Sequence, residues 1–77
     1  MNKARRKELE AISDELVALM DRIQEVIDEE QDALDNLPEG IQESERGEQM
    51  EEYISQMEDA QSSIEDANDY ITAIYES

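Results

Sequence analysis

Apolar residues recur at alternating steps of three and four along both halves of this 77-residue chain, on either side of its one proline. The series in the first half is Leu9, Ile12, Leu16, Leu19, Ile23, Val26, Glu30, Ala33 and Leu37, in which Glu30 is the one charged member. The series in the second half is Met50, Tyr53, Met57, Ala60, Ile64, Ala67, Ile71 and Ile74. A seven-residue repeat places each series on one stripe of an α-helix and favours left-handed supercoiling. The chain is therefore predicted to be all-α, with two long heptad-patterned helices.

The first half carries a further apolar stripe. Met20, Ile27 and Leu34 lie beside the first series, so the apolar face of helix 1 is wider than one partner helix can cover. Self-association covers such a face most economically. We therefore expect a two-helix antiparallel hairpin that self-associates into a four-helix bundle or a larger helical oligomer, with this second stripe in contact with another copy.

The bend between the helices lies in the stretch DNLPEGIQESERGE, which holds the proline and both glycines. Pro38 disfavours helical conformation at Leu37 and lacks the N–H that a continuing helix needs. Gly40 permits a positive φ, and Ser44 is a good N-cap for the second helix. The predicted organisation is a single domain, residues 1–77, with helix 1 at about 2–36, a bend at 37–44 and helix 2 at about 45–75.

The charge of the chain is strongly acidic, with 23 acidic residues against 6 basic ones and a net charge of −17. Four of the six cations are Lys3, Arg5, Arg6 and Lys7. A surface of this kind attracts basic proteins and repels nucleic acid and anionic membranes. No apolar run reaches the roughly 20 residues that span a bilayer. A basic protein is therefore the expected partner, without direct nucleic-acid or membrane contact.

The chain contains neither histidine nor cysteine. Thiolate nucleophiles, imidazole bases and the Glu-x-x-His ligands of di-iron bundles are therefore excluded. The bend also lacks the alternating Asp/Asn pattern of a calcium-binding EF-hand. We expect no enzymatic activity, no metal site and no cofactor.

Acidic pairs recur every seven residues on the outward face of helix 2. These candidate binding residues are Glu51, Glu52, Glu58, Asp59, Glu65 and Asp66. At about 1.5 Å per residue the repeat is roughly 10.5 Å, near three base-pair steps of about 3.4 Å. Such rows of carboxylates are able to imitate the phosphates of DNA toward a DNA-binding protein. The alternative is that any acidic heptad protein places its acids outward, where they keep it soluble.

The stretch from Leu34 to Ile71 resembles small acidic proteins encoded by bacteriophages, prophages and other mobile elements of Gram-positive bacteria. The residues that carry the resemblance are Asp35, Asn36, Leu37, Pro38, Glu39, Ile41, Gln42, Ser44, Glu45 and Arg46. Gly47 departs from the bulky or aromatic residue expected after the arginine. The family has no defined activity. The resemblance implies an accessory protein of a mobile element that works in the cytoplasm of a bacterial host.

The leading functional hypothesis is a protein that binds and inhibits or modulates a host factor, such as a component of host defence. Gln42, Ser44, Glu45 and Arg46 group more polar residues at the bend than a turn requires, which favours a binding site there over a bare connection. One alternative is an oligomeric sponge that gathers Arg46, or the basic N-terminus, around a small nucleotide signal. A second alternative is a structural or assembly component of a phage.

Overall fold

The fold is a pair of long helices joined by a short one. The computed structural model describes all residues from 1 to 77. The helices are α1 (Lys3–Asp35), α2 (Glu39–Gln42) and α3 (Glu45–Tyr75), and there is no strand. α1 and α3 lie side by side in a molecule that measures 59 × 15 × 12 Å. The all-helical prediction is confirmed. None of the helices combines the length and apolar character that a membrane crossing requires.

The ends of α1 follow from local chemistry. The Asn2 side chain accepts a hydrogen bond of 2.8 Å from the backbone N–H of Arg5, which satisfies one of the free donors in the first turn. At the other end, Asn36 donates its N–H to the Asp32 carbonyl at 3.0 Å and closes the last turn. Pro38 follows two residues later, where its ring and missing N–H prevent the helix from continuing.

Two polar contacts define how α1 and α3 meet. The Ser13 hydroxyl donates to the Asn68 side-chain oxygen, and the Gln61 amide donates to the Met20 carbonyl at 3.1 Å. A step of seven residues forward on α1 therefore corresponds to a step of seven backward on α3, so the two helices are antiparallel. One further step brings Ile27 level with Ile54, and both of these side chains are buried.

The seam between the helices shares one row of each helix with the predicted seam and differs from it in the other row. Its buried and half-buried members are Leu9, Ser13, Leu16, Met20, Ile23, Ile27, Glu30, Leu34 and Leu37 on α1, and Gly47, Met50, Ile54, Met57, Gln61, Ile64, Asn68, Ile71 and Tyr75 on α3. Leu19, Val26 and Tyr53, which were predicted to lie inside the pair, are 42%, 49% and 47% exposed. The expectation that Met20, Ile27 and Leu34 lie outside the pair is wrong.

The physical reason lies near the bend. There the observed seam encloses Ile27 and Leu34, where the predicted one would enclose Val26 and Ala33. Burial of apolar surface stabilises by roughly 25 cal/mol per Å², so this end of α1 favours the observed stripe. Farther from the bend the same register brings polar residues into the seam, where they hydrogen-bond across the pair.

The core is concentrated near the bend. Ile27, Leu34, Met50 and Ile54 form its buried cluster, and no side chain in the molecule falls below 2% exposure. Toward the chain termini the seam mixes half-buried apolar residues with polar ones, including the 5%-exposed Ser13. A core of this size supplies little stability to a 77-residue chain, and small domains of this kind often depend on a partner.

The bend is closed by backbone hydrogen bonds around α2. The Pro38 carbonyl accepts from the N–H of Ile41 at 2.8 Å and of Gln42 at 3.1 Å, and the Ile41 carbonyl accepts from the Ser44 N–H at 3.0 Å. Gly40 lies inside this short helix and no residue of the chain has a positive φ, so the positive φ that Gly40 permits is not used. The turn needs no left-handed residue because α2 reverses the chain with ordinary helical geometry.

Gly47 is the residue that lets α3 begin so close to α2. A Cβ atom at this position would lie 2.6 Å from the carbonyl carbon of Gln42 and nearer still to its oxygen. These are backbone atoms, which have no flexible side chain that could move aside. The fold therefore leaves no space at position 47 for the bulky side chain that the sequence resemblance led us to expect.

We predict that Gly47→Ala lowers the free energy of unfolding by about 2 kcal/mol or more, since the added methyl group overlaps the Gln42 backbone. This would happen although alanine is about 1 kcal/mol better than glycine inside a helix. Urea unfolding followed by far-UV circular dichroism measures the change.

Gly40→Ala is the matched control, because a Cβ at Gly40 meets no atom within 4 Å. This variant should be neutral or more stable by up to about 1 kcal/mol. Equal effects of the two substitutions would show that the close approach at Gly47 does not constrain the fold.

Candidate functional site

Two of the four residues predicted to form a binding site at the bend hold the bend together. The Gln42 amide donates to the Asp35 carbonyl at 3.1 Å and to the Leu37 carbonyl at 3.0 Å. The Ser44 hydroxyl donates to the Ile41 carbonyl, and it makes no capping bond to α3 although Ser44 occupies the N-cap position. Glu45 and Arg46 follow in the first turn of α3 with exposed side chains. The bend therefore presents two of the four side chains to a ligand.

One long side of the helix pair is apolar. An open concavity of about 540 Å³ lies on this side, and five of its seven lining residues are apolar. The lining residues are Leu19, Ile23, Val26, Met57 and Ala60, with Arg22 and Glu25 as the two charged ones. Leu19 and Val26 are 42% and 49% exposed, although both are large aliphatic residues. This surface was missed by the sequence prediction, which placed its residues between the two helices.

The apolar side continues along the molecule. Because Gln61 contacts Met20, the preceding residues Ala60 and Leu19 lie at one level, and the heptad repeat extends the pattern in both directions. Its members, here called the apolar side, are Ile12, Leu19, Val26 and Ala33 on α1, and Tyr53, Ala60, Ala67 and Ile74 on α3. From Ile12 to Ala33 the apolar side spans roughly 30 Å at about 1.5 Å per residue.

The opposite long side is acidic and polar. Successive residues of a helix are about 100° apart, which identifies the positions that flank the seam on this side. These positions, here called the acidic side, are Glu10, Val17, Gln24 and Gln31 on α1, and Glu51, Glu58, Glu65 and Thr72 on α3. Gln24 accepts a hydrogen bond of 3.1 Å from Gln61 across the pair. Val17 is the one large apolar member, and it is 42% exposed. The molecule thus has two long sides of opposite chemistry.

The six predicted acidic residues of α3 are all exposed, and the helix arranges them in two rows. Glu51, Glu58 and Glu65 lie on the acidic side, whereas Glu52, Asp59 and Asp66 follow one residue later and face away from α1. By the same repeat, Glu45 continues the second row, while Arg46 falls on the row of Tyr53 at the end of the apolar side. The structure therefore brings Glu45 together with the acidic rows and separates Arg46 from them.

The sequence did contain a signal for the apolar side. α1 has two overlapping apolar stripes that share one row, which includes Leu16 and Ile23. On α3 the second stripe is partly polar, since Gln61 and Asn68 lie on it. One of the two stripes must remain outside any two-helix seam, and its exposed apolar residues then form an outer face. The structure gathers no group of three or more His, Cys, Asp or Glu side chains in an arrangement suited to a metal ion.

Comparison of the chain with protein-family models, with curated proteins and with solved structures finds no match in any of the three. What the protein does must therefore be inferred from its own surfaces.

We predict that Gln42→Ala lowers the free energy of unfolding by about 1 kcal/mol, because the Asp35 and Leu37 carbonyls lose their side-chain donor. Gln49→Ala is the matched control, since Gln49 is exposed on α3 and the same atoms are removed without a change at the bend. Chemical denaturation of both variants checks this, and a Gln42→Ala protein as stable as the control would contradict a structural role.

Proposed function

We propose that this chain is a non-enzymatic interaction protein that self-associates through its apolar side and binds a basic protein with its acidic surfaces. The observation that carries the proposal is the opposite chemistry of the two long sides. One side exposes large apolar residues, including Val26 at 49% and Tyr53 at 47%, whereas the other presents Glu51, Glu58 and Glu65. Such a division suits a protein with two kinds of contact.

Self-association follows from the thin core. Four buried apolar residues hold the pair together, and the apolar side offers a continuous surface about 30 Å long that water would otherwise cover. Exposed apolar patches of this kind mark interaction sites in soluble proteins. A second antiparallel hairpin applied to this side forms a four-helix bundle, in which Leu19, Val26 and Tyr53 become core residues.

We predict that Val26→Glu weakens self-association at least about tenfold, because it places a charge in an apolar interface. Sedimentation equilibrium, referred to the 8.9 kDa mass of one chain, measures the effect.

Val17→Glu is the matched control, since Val17 is 42% exposed and lies on the acidic side. This variant should self-associate nearly as well as the unaltered protein. A loss of similar size in both variants, or a monomer before any substitution, would refute the assignment of the apolar side.

The acidic rows supply the proposed contact with a partner. A surface of net charge −17 attracts a basic patch over a distance set by ionic strength. The repeat of about 10.5 Å along α3 favours a patch that normally contacts nucleic acid. Together with the resemblance of the bend to mobile-element proteins, this supports a phage-derived modulator of a host factor, acting in the bacterial cytoplasm.

We predict that neutralising four carboxylates of α3 abolishes capture of a basic host protein from bacterial lysate. The substitutions are Glu58→Gln, Asp59→Asn, Glu65→Gln and Asp66→Asn, which remove charge with little change of shape. The matched control carries four neutral substitutions on α1, namely Asp14→Asn, Glu15→Gln, Asp28→Asn and Glu29→Gln, and it should retain capture. Quantitative mass spectrometry of the captured proteins measures the difference.

Two further arms of the same experiment separate the possible sites. Duplex DNA added to the lysate should displace the partner if the carboxylates imitate phosphates. Arg46→Ala tests the bend, where a guanidinium is able to hold a carboxylate or phosphate through two hydrogen bonds. Retained capture by the α3 variant together with lost capture by Arg46→Ala would place the site at the bend instead.

A second candidate function is the binding of a small nucleotide. Lys3, Arg6 and Lys7 line a cavity of about 230 Å³ with Glu10 and Tyr75 at the open end of the helix pair. Cations beside an aromatic ring suit a phosphate joined to a base. Arg46 lies at the other end of the molecule, so one copy does not gather both predicted groups of cations. Mass spectrometry of small molecules released from the denatured protein distinguishes this function from protein binding.

A further inference from the structure

The charge of the molecule is divided between its two ends, and we infer from it how two copies meet. In the proposed dimer the bends lie at opposite ends, so that the basic N-terminal segment of each copy lies beside the acidic bend of the other. The inference rests on the proposed self-association through the apolar side and adds its orientation.

The basic end is the open end of the helix pair. Lys3, Arg5, Arg6 and Lys7 occupy the first turns of α1, and the remaining 70 residues that follow contain two cations among 23 acids. The Arg6 side chain donates to the carbonyl of Ser77, and the cavity lined by Lys3 and Lys7 includes Tyr75. These contacts place the basic segment against the end of α3.

The bend end is acidic. The carboxylates near it are Asp32, Asp35, Glu39, Glu43, Glu45 and Glu48, with Arg46 as the one cation among them. All six of these carboxylates are exposed. At the open end, residues 1–10 and 71–77 carry four cations against Glu8, Glu10 and Glu76, a net side-chain charge of 4 − 3 = +1, whereas residues 32–48 at the bend carry 1 − 6 = −5.

Because salt screens distant charges, the charges that lie next to each other in the dimer determine which of the two orientations is favoured. At physiological ionic strength the Debye length is about 8 Å, which is far shorter than the molecule. With the bends together, two acidic ends repel one another and two basic ends do the same. With the bends apart, each basic segment lies next to an acidic bend, so the charges attract at both ends of the dimer and repel at neither.

The shape of the apolar side agrees with this orientation. A two-fold axis across the helices at the level of Leu19 and Ala60 stacks α3 of one copy on α3 of the other, in opposite directions. Tyr53, one heptad from the axis, then faces Ala67 of the second copy, one heptad to the other side. With the bends together, the large residues Tyr53 and Val26 of both copies would share one level of the interface. With the bends apart, that level holds Tyr53 and Val26 of one copy and Ala67 and Ile12 of the other, so side-chain volume is distributed more evenly along the interface.

Distance measurement between spin labels on Gly40→Cys tests the orientation. The chain has no cysteine of its own, and a Cβ at Gly40 meets no atom within 4 Å, so one label sits at each bend without disturbing the fold. The expected label separation in the dimer approaches the 59 Å length of the molecule. With the bends together it would fall to on the order of 10–20 Å, because packed helices lie about 8–10 Å apart.

Mixed dimers provide a second measurement. Spin-labelled Ala4→Cys chains combined with labelled Gly40→Cys chains should give a short separation, since Ala4 of one copy then lies near the bend of the other. Arg5 lies one heptad before Ile12, at the end of the apolar side. Arg5→Glu should therefore reduce dimer affinity severalfold or shift the Gly40 separation to the short value, and Arg5→Gln should have a smaller effect.

The possible results distinguish a wrong dimer orientation from a failure of self-association itself. A dimer whose Gly40 labels are mainly close together overturns the orientation and leaves self-association intact. A purely monomeric protein overturns both. A long separation in the Gly40 dimer together with a short one in the mixed dimer supports both.

Discussion

The close approach of the Gln42 backbone to Gly47 is the contact on which the rest of the structure depends. It brings the first turn of α3 directly against the end of α2, which the Gln42 side chain ties to the carbonyls of Asp35 and Leu37. With the bend closed in this way, Leu34 lies near the start of α3 and forms one buried cluster with Met50. The register of the whole seam follows, because every later level is one heptad further along both helices.

That register distributes polar and apolar residues unevenly along the seam. Near the bend the helices bury aliphatic side chains, whereas toward the termini they meet through Ser13 with Asn68 and through Gln61 with the Met20 carbonyl. Polar seam contacts contribute less stability than apolar burial but disfavour other registers, since a shifted pair would leave a buried polar group without a partner. The end that carries the basic segment is thus the less strongly packed end.

The same register decides which surfaces remain for function. Once Ile27 and Ile54 turn inward, Leu19, Val26 and Tyr53 have no partner in the same copy, and the acidic residues of α3 occupy the opposite side and the back. Two polar residues of the bend, Gln42 and Ser44, are not free to bind a ligand in the same way, because their side chains hydrogen-bond to backbone carbonyls of the bend. A binding function for this protein is therefore better supported on the long sides of the helices than at the connection between them.

The sequence by itself determined the two long helices, the position of the bend and the outward placement of the acids, because heptad spacing, Pro38 and helical geometry are local properties. The tertiary structure alone decided which stripe forms the seam. On α1 two apolar stripes share residues such as Ile23 and obey the same repeat, so periodicity cannot choose between them. On α3 periodicity favours the stripe of Tyr53, and the structure nevertheless leaves it outside. The choice depends on contacts across the interface: Leu34 buries more surface than Ala33 would, and Gly47 leaves space only for the backbone of Gln42.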